Sequence, residues 1–127
     1  MGKDPPPMHY TIDHDPIDGG HLVIASGELD VAATPRLSTV LAMTSSGAGQ
    51  RVVLDLVAVD FIDSTALGTI LKAAGQLEGQ GHTLAVVAPD GPVRRLLEMT
   101  NLTGRFLLFP SRAQALEHRP PASATAL

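Results

Sequence analysis

Five consecutive residues, Val52-Val53-Leu54-Asp55-Leu56, constrain the fold most. β-Branched and aliphatic side chains fill both parities of the run, so as a strand it is apolar on both faces except at Asp55. Such a strand has to be covered from two sides, which is how sheets sandwiched by helices are built. The sequence downstream supplies that cover. Leu67, Ile70, Leu71, Ala74 and Leu77 recur at spacings of three and four and predict a helix starting near Ser64, closed by Gly79 and Gly81. Thr83 to Ala88 reads as a second buried strand, and Asp90-Gly91-Pro92 starts a helix with Val93, Leu96 and Leu97 inward. Phe106 to Phe109 reads as a last short strand, after which Ser111 caps a terminal helix through Ala115 and Leu116.

Upstream, Met8 to Asp13 alternates like an edge strand, residues Asp15 to Gly20 are rich in turn formers, and His21 to Ser26 is β-prone, which together predict an N-terminal hairpin. After Gly27-Glu28-Leu29-Asp30 a helix is expected with Thr34 as N-cap, Pro35 at the first helical position and Leu37, Val40 and Leu41 on one face. Ser45-Ser46-Gly47-Ala48-Gly49 ends it. The order predicts an α/β domain, a mixed and mostly parallel sheet of about five strands with about four helices. At 127 residues the chain suits one such domain, placed at residues 8–117. The Pro-containing ends, residues 1–7 and 118–127, read as tails because neither has an apolar period. In parallel sheets sites form where loops leave the carboxyl ends of strands, here Gly27 to Ala33, Val57 to Ser64 and Ala88 to Gly91.

Composition removes several chemistries. Nine Lys and Arg against thirteen Asp and Glu give a formal charge of −4, the wrong sign for phosphate backbones or anionic lipid, so protein or small-molecule partners are expected. With one Tyr, three Phe and no Trp there is little to stack on a base or a flat cofactor. The absence of Cys rules out a thiol nucleophile and Cys-ligated zinc. His9 and His14, five apart, would face opposite sides of one strand and read as surface histidines, so no metal is expected. Neither Gly-x-x-x-x-Gly-Lys-Ser/Thr nor Gly-x-Gly-x-x-Gly occurs, so no cofactor is expected, and the lack of a Gly-x-Ser-x-Gly elbow counts against hydrolase chemistry. Asp55 lacks the acidic cluster and late-strand lysine of a response-regulator phosphoacceptor, Lys3 and Lys72 being the lysines. No apolar run nears the ~20 residues of a membrane span, and Met1 to Pro7 lacks a signal peptide's apolar core, so a cytoplasmic place is expected.

The most informative stretch is Asp60-Phe61-Ile62-Asp63-Ser64-Thr65-Ala66-Leu67-Gly68, a strand-to-helix turn with flanking carboxylates and paired hydroxyls. A hydroxyl at a helix N-terminus lies beside unpaired N–H groups that can donate to a phosphate oxygen, while Asp63 repels the same phosphate. The plainer reading makes Asp63 or Ser64 an ordinary N-cap worth ~1 kcal/mol. Gly27-Glu28-Leu29-Asp30 after a strand, the buried Val-Val-Leu-Asp-Leu strand, and Phe61 to Gly68, in this order and spacing from about Met8 to Leu116, resemble the STAS domain family, specifically bacterial anti-sigma factor antagonists.

The resemblance implies that Ser64 is phosphorylated by an anti-sigma factor that is also a serine kinase, with Thr65 as the rival acceptor. It implies that the unphosphorylated form binds this factor and frees the sigma factor, that the chain is not an enzyme, and that a serine phosphatase restores it. The binding surface would comprise Glu28, Asp30, Asp63, Ser64, Thr65, Leu67 and Gly68. Where the commonest family motif reads Asp-Ser-Ser-Gly-Leu-Gly, this chain has Thr65 and Ala66 at the third and fourth positions; Ala66 favours the helix more than Gly. Other readings are a STAS module of a stressosome-type scaffold or of a lipid-transport ATPase complex, and a small hydrolase or nucleotide-binding enzyme working through the acidic loops.

Overall fold

A computed structural model describes residues 9–45 and 50–118. The elements run β1 (Tyr10–Ile17), β2 (Gly20–Leu29), a 3-10 turn (Val31–Ala33), α1 (Thr34–Met43), β3 (Arg51–Ile62), α2 (Ser64–Gly79), β4 (Thr83–Val87) and α3 (Pro92–Met99). A second 3-10 turn (Thr103–Arg105), β5 (Leu107–Phe109) and α4 (Arg112–Glu117) complete the domain. The strands form one sheet in chain order, with β1 antiparallel to β2 and every later pair parallel. This is the mixed, mostly parallel α/β sheet with four α-helices that the sequence predicts. Residues 1–8, with the N-terminal tail and the expected strand start at Met8, residues 119–127 of the tail read at 118–127, and residues 46–49 of the stretch expected to end α1 lie outside the described residues.

The two-sided apolar run behaves as its pattern demands. Val52, Leu54 and Leu56 pack into the larger core with Leu37 and Leu41 of α1, Leu67, Ile70, Ala74 and Leu77 of α2, and Val93 and Leu97 of α3. Val53 points the other way, into a smaller cluster with Leu22, Ala85, Val87 and Ala115 of α4. Each such buried aliphatic side chain stabilises by roughly 1.5–3 kcal/mol relative to exposure. Helix α4 is six residues long, so it covers only part of its face. Ser111 caps it, its Oγ accepting the Gln114 N–H at 3.2 Å.

Several boundaries differ from the sequence reading, each for a local reason. Strand β3 continues through the stretch expected to be a loop, pairing Ser26 with Ala58, Glu28 with Phe61 and Leu29 with Ile62 across two register shifts. Val57, Ala58, Asp60 and Phe61 are exposed because no helix covers them, which breaks the apolar pattern without breaking the backbone ladder. Strand β1 likewise extends through Asp15, Pro16 and Ile17, and Pro16 is tolerated because β1 is an edge strand. Thr34 lies inside α1 instead of capping it: its hydroxyl donates to the Val31 carbonyl at 2.9 Å, in the 3-10 turn that precedes the helix. Leu71 and Leu96 sit at the margin of the core, partly buried. His118 is the C-cap of α4 and its ring lies 5.3 Å from that of Phe109.

Candidate functional site

Strands β2 and β3 run parallel and finish side by side, Leu29 opposite Ile62, so the residues that follow them, Asp30 and Asp63, leave the sheet together. The Asp63 N–H donates to the Leu29 carbonyl at 3.1 Å and ties the two exits to each other. Both aspartates are extended and each turns the chain with its own carboxylate. Asp30 Oδ1 accepts the Ala32 N–H at 3.0 Å and starts the 3-10 turn. Asp63 Oδ1 accepts the Ala66 N–H at 2.9 Å and is the N-cap of α2, which settles the capping role on Asp63 and leaves Ser64 uncommitted.

Ser64 and Thr65 are the first two residues of α2 and both are exposed. At that position a helix has N–H groups with no intrahelical acceptor, and the macrodipole favours added negative charge. Gly68, one turn on, is also exposed, and a side chain there would meet open space. The helix rotation carries Leu67 the other way: it is 5% exposed and belongs to the core, so the expectation that it contacts a partner gives way to a role in anchoring α2 under Ser64. Glu28 is exposed one pair before the strand ends, beside Phe61, and its N–H donates to the His9 carbonyl at 2.7 Å.

Asp30, Asp63, Ser64, Thr65 and Gly68 thus meet at one end of the sheet, with Glu28 and Asp60 behind them on β2 and β3. Two exposed apolar side chains stand by the same turns and were not singled out from the sequence: Val31, 64% exposed, follows Asp30, and Phe61, 48% exposed, precedes Asp63 by two. The signal for Phe61 was present, since an inward Ile62 at a strand end turns its neighbour outward; reading that segment as a loop hid it. Among the described residues no group of three or more His, Asp or Glu is arranged to hold a metal ion. His14 Nε2 lies 2.8 Å from His21 Nδ1, a pair across the hairpin.

The site is thus an exposed hydroxyl at a helix start, between carboxylates and apolar side chains, at one end of the helix-covered sheet of a small α/β domain. The chain belongs to the STAS domain family, whose model matches residues 14–115, and it is similar to the family's anti-sigma factor antagonists. The anti-sigma F factor antagonist of Paenibacillus polymyxa is 32% identical over 114 residues, covering 86% of this chain and 94% of that protein. The crystal structure of an anti-sigma factor antagonist from Mycobacterium paratuberculosis matches with a TM-score of 0.72 at 28% identity, over 84% of this chain and 91% of that one. The phosphorylated form of the Bacillus cell fate determinant SpoIIAA shares the fold, with a TM-score of 0.65 at 18% identity, over 84% of this chain and 97% of that one.

Proposed function

We propose that this chain is an anti-sigma factor antagonist controlled at Ser64. Unphosphorylated, it binds an anti-sigma factor that is also a serine kinase and so releases a sigma factor; phosphorylated, it lets the kinase go. The observation that carries this reading is the placement of Ser64: exposed, first in α2, with its neighbour Asp63 already acting as the cap. In the transfer the Ser64 Oγ takes the γ-phosphoryl group of ATP, ADP leaves, and the hydroxyl proton is lost to the kinase or solvent. The product gains ~1.5–2 negative charges next to Asp63 and Asp30 without needing the backbone to move, because the free N–H groups of the first turn donate to the new oxygens. The chain is the substrate, no catalysis is assigned to it, and a serine phosphatase resets it. Its place of action is the cytoplasm, where such a kinase and its sigma factor would meet it.

The test is phosphosite mapping after incubation with ATP and the anti-sigma factor kinase recovered by pull-down from the same bacterium. Phosphate on Ser64 in the parent and none on Ser64→Ala is the expected outcome. Phosphate on Thr65 alone, or undiminished labelling of Ser64→Ala, contradicts the assignment.

A further inference from the structure

Asp55 has no part in the docking face. It is the single charged residue of the Val52-to-Leu56 run, 2% exposed, and it lies on the side of the sheet that α4 covers in part. Its Oδ1 accepts the Val57 N–H at 2.9 Å and its Oδ2 accepts the Arg112 Nε–H at 2.5 Å, so the buried charge is fully engaged. Arg112 is the first residue of α4 and its side chain remains 45% exposed. Held through Nε, the planar guanidinium has a fixed direction, and its Nη groups meet no acceptor among the described residues.

Asp55 and Arg112 line an open cleft of about 410 Å³ where α4 stops short of the carboxyl ends of the strands. Its other walls are Ile24, Val57, Ala58, Pro89 and Pro110, with Ser111, whose hydroxyl is already used as the α4 cap. Val57 is 50% exposed in this setting, a branched apolar side chain on a central strand with nothing over it. The volume falls within the ~300–1,000 Å³ usual for small-molecule sites. An apolar trough bordered by one oriented cation with spare donors selects its ligand by chemistry. Asp55 offsets the charge of Arg112, so selection rests on the remaining Nη–H donors: a cation cannot accept from them, a neutral alcohol accepts more weakly than a carboxylate, and a wholly polar anion leaves Val57 and the prolines wet.

We propose that this cleft binds a small amphipathic carboxylate, its headgroup on the Nη groups of Arg112 and its apolar body along Val57, Ile24 and the two prolines. The site is distinct from the Ser64 face, although β3 contributes to both, and it does not depend on the identity of the protein partner.

Titration of the full chain with octanoate, followed by amide and methyl NMR shifts, tests this. Saturable shifts are expected at Val57, Ala58 and Arg112, with Ser64 unaffected, and octanol and octylammonium should bind about tenfold more weakly or worse. Arg112→Gln should erase the preference for octanoate over octanol. Ala58→Phe, at an exposed position that leaves the Asp55–Arg112 pair intact, should fill the trough and abolish binding of either. Absence of saturable shifts in the parent, equal affinity for octylammonium, or binding unchanged by both substitutions overturns the proposal.

Discussion

One oxygen of the Asp63 carboxylate caps α2, while under the proposed function its charge meets the partner beside Ser64, and two substitutions separate these roles. Asp63→Asn keeps a capping oxygen and should melt like the parent; Asp63→Ala should lose ~0.5–2 kcal/mol in urea denaturation. Weakened partner binding by Asp63→Asn at unchanged stability places the charge in the interface, whereas binding loss confined to Asp63→Ala reduces the residue to a cap. Gly27 is fixed by geometry: its φ is +82° and an added Cβ would lie 2.1 Å from the His9 carbonyl oxygen. Gly27→Ala should therefore destabilise by ~1–3 kcal/mol or more, and a melting curve that superposes on the parent's would contradict the bulge that aims Glu28. At this scale the sequence was informative where a residue type has one use. The helix start at Asp63 and Ser64 was legible because a carboxylate or a hydroxyl there is a ready cap, but which of the two caps was not, and the phosphoacceptor reading of Ser64 rests on the family resemblance. Leu67 was not, since motif membership says nothing of the helix rotation that turns it inward.

Elements were legible in proportion to how completely they are covered. The Val52-to-Leu56 half of β3 and the inward face of α2 announce themselves because packing on the core filters their composition. The Val57-to-Ile62 half of β3 did not, since it pairs only with β2 and has one face open beyond the end of α4; backbone hydrogen bonds leave no trace in side-chain polarity. The start of α1 was displaced because Asp30 caps a 3-10 turn ahead of it, a choice made by backbone geometry that Thr34 and Pro35 do not encode. Burial also ranks two leucines that periodicity treats alike. Leu54 is fully enclosed, so Leu54→Ala should cost ~2–5 kcal/mol, whereas Leu71, at the edge of the core, should cost clearly less because water and neighbours can fill the space. Equal costs in urea titrations would contradict the placement of α2 on the sheet.

Across the whole molecule the two ends of the sheet differ in chemistry. The end away from Ser64 carries histidines: His82 is buried, with Nδ1 accepting the Gln50 N–H and Nε2 facing the Ser45 carbonyl, both at 2.9 Å. Burial, and then the neighbouring His14 and His82, push the pKa of His21 below its ordinary 6.5. The folded state thus binds fewer protons there than the unfolded chain, so stability is full above about pH 6.5 and falls as pH drops from there through the lowered value. Replacing His21 by Gln should flatten that acid-side slope in melting temperature, and an unchanged slope would remove His21 as its source. The Ser64 end carries carboxylates and apolar side chains and is the face on which regulation is proposed. Calorimetric titration of the anti-sigma factor kinase with the unmodified chain and with its Ser64-phosphorylated form measures that claim most directly, with circular dichroism confirming that both are folded. The phosphorylated form is expected to bind more weakly by ~2–4 kcal/mol, the scale of an interfacial charge left unpaired, with its spectrum unchanged. Equal affinity of the two forms would contradict the switch.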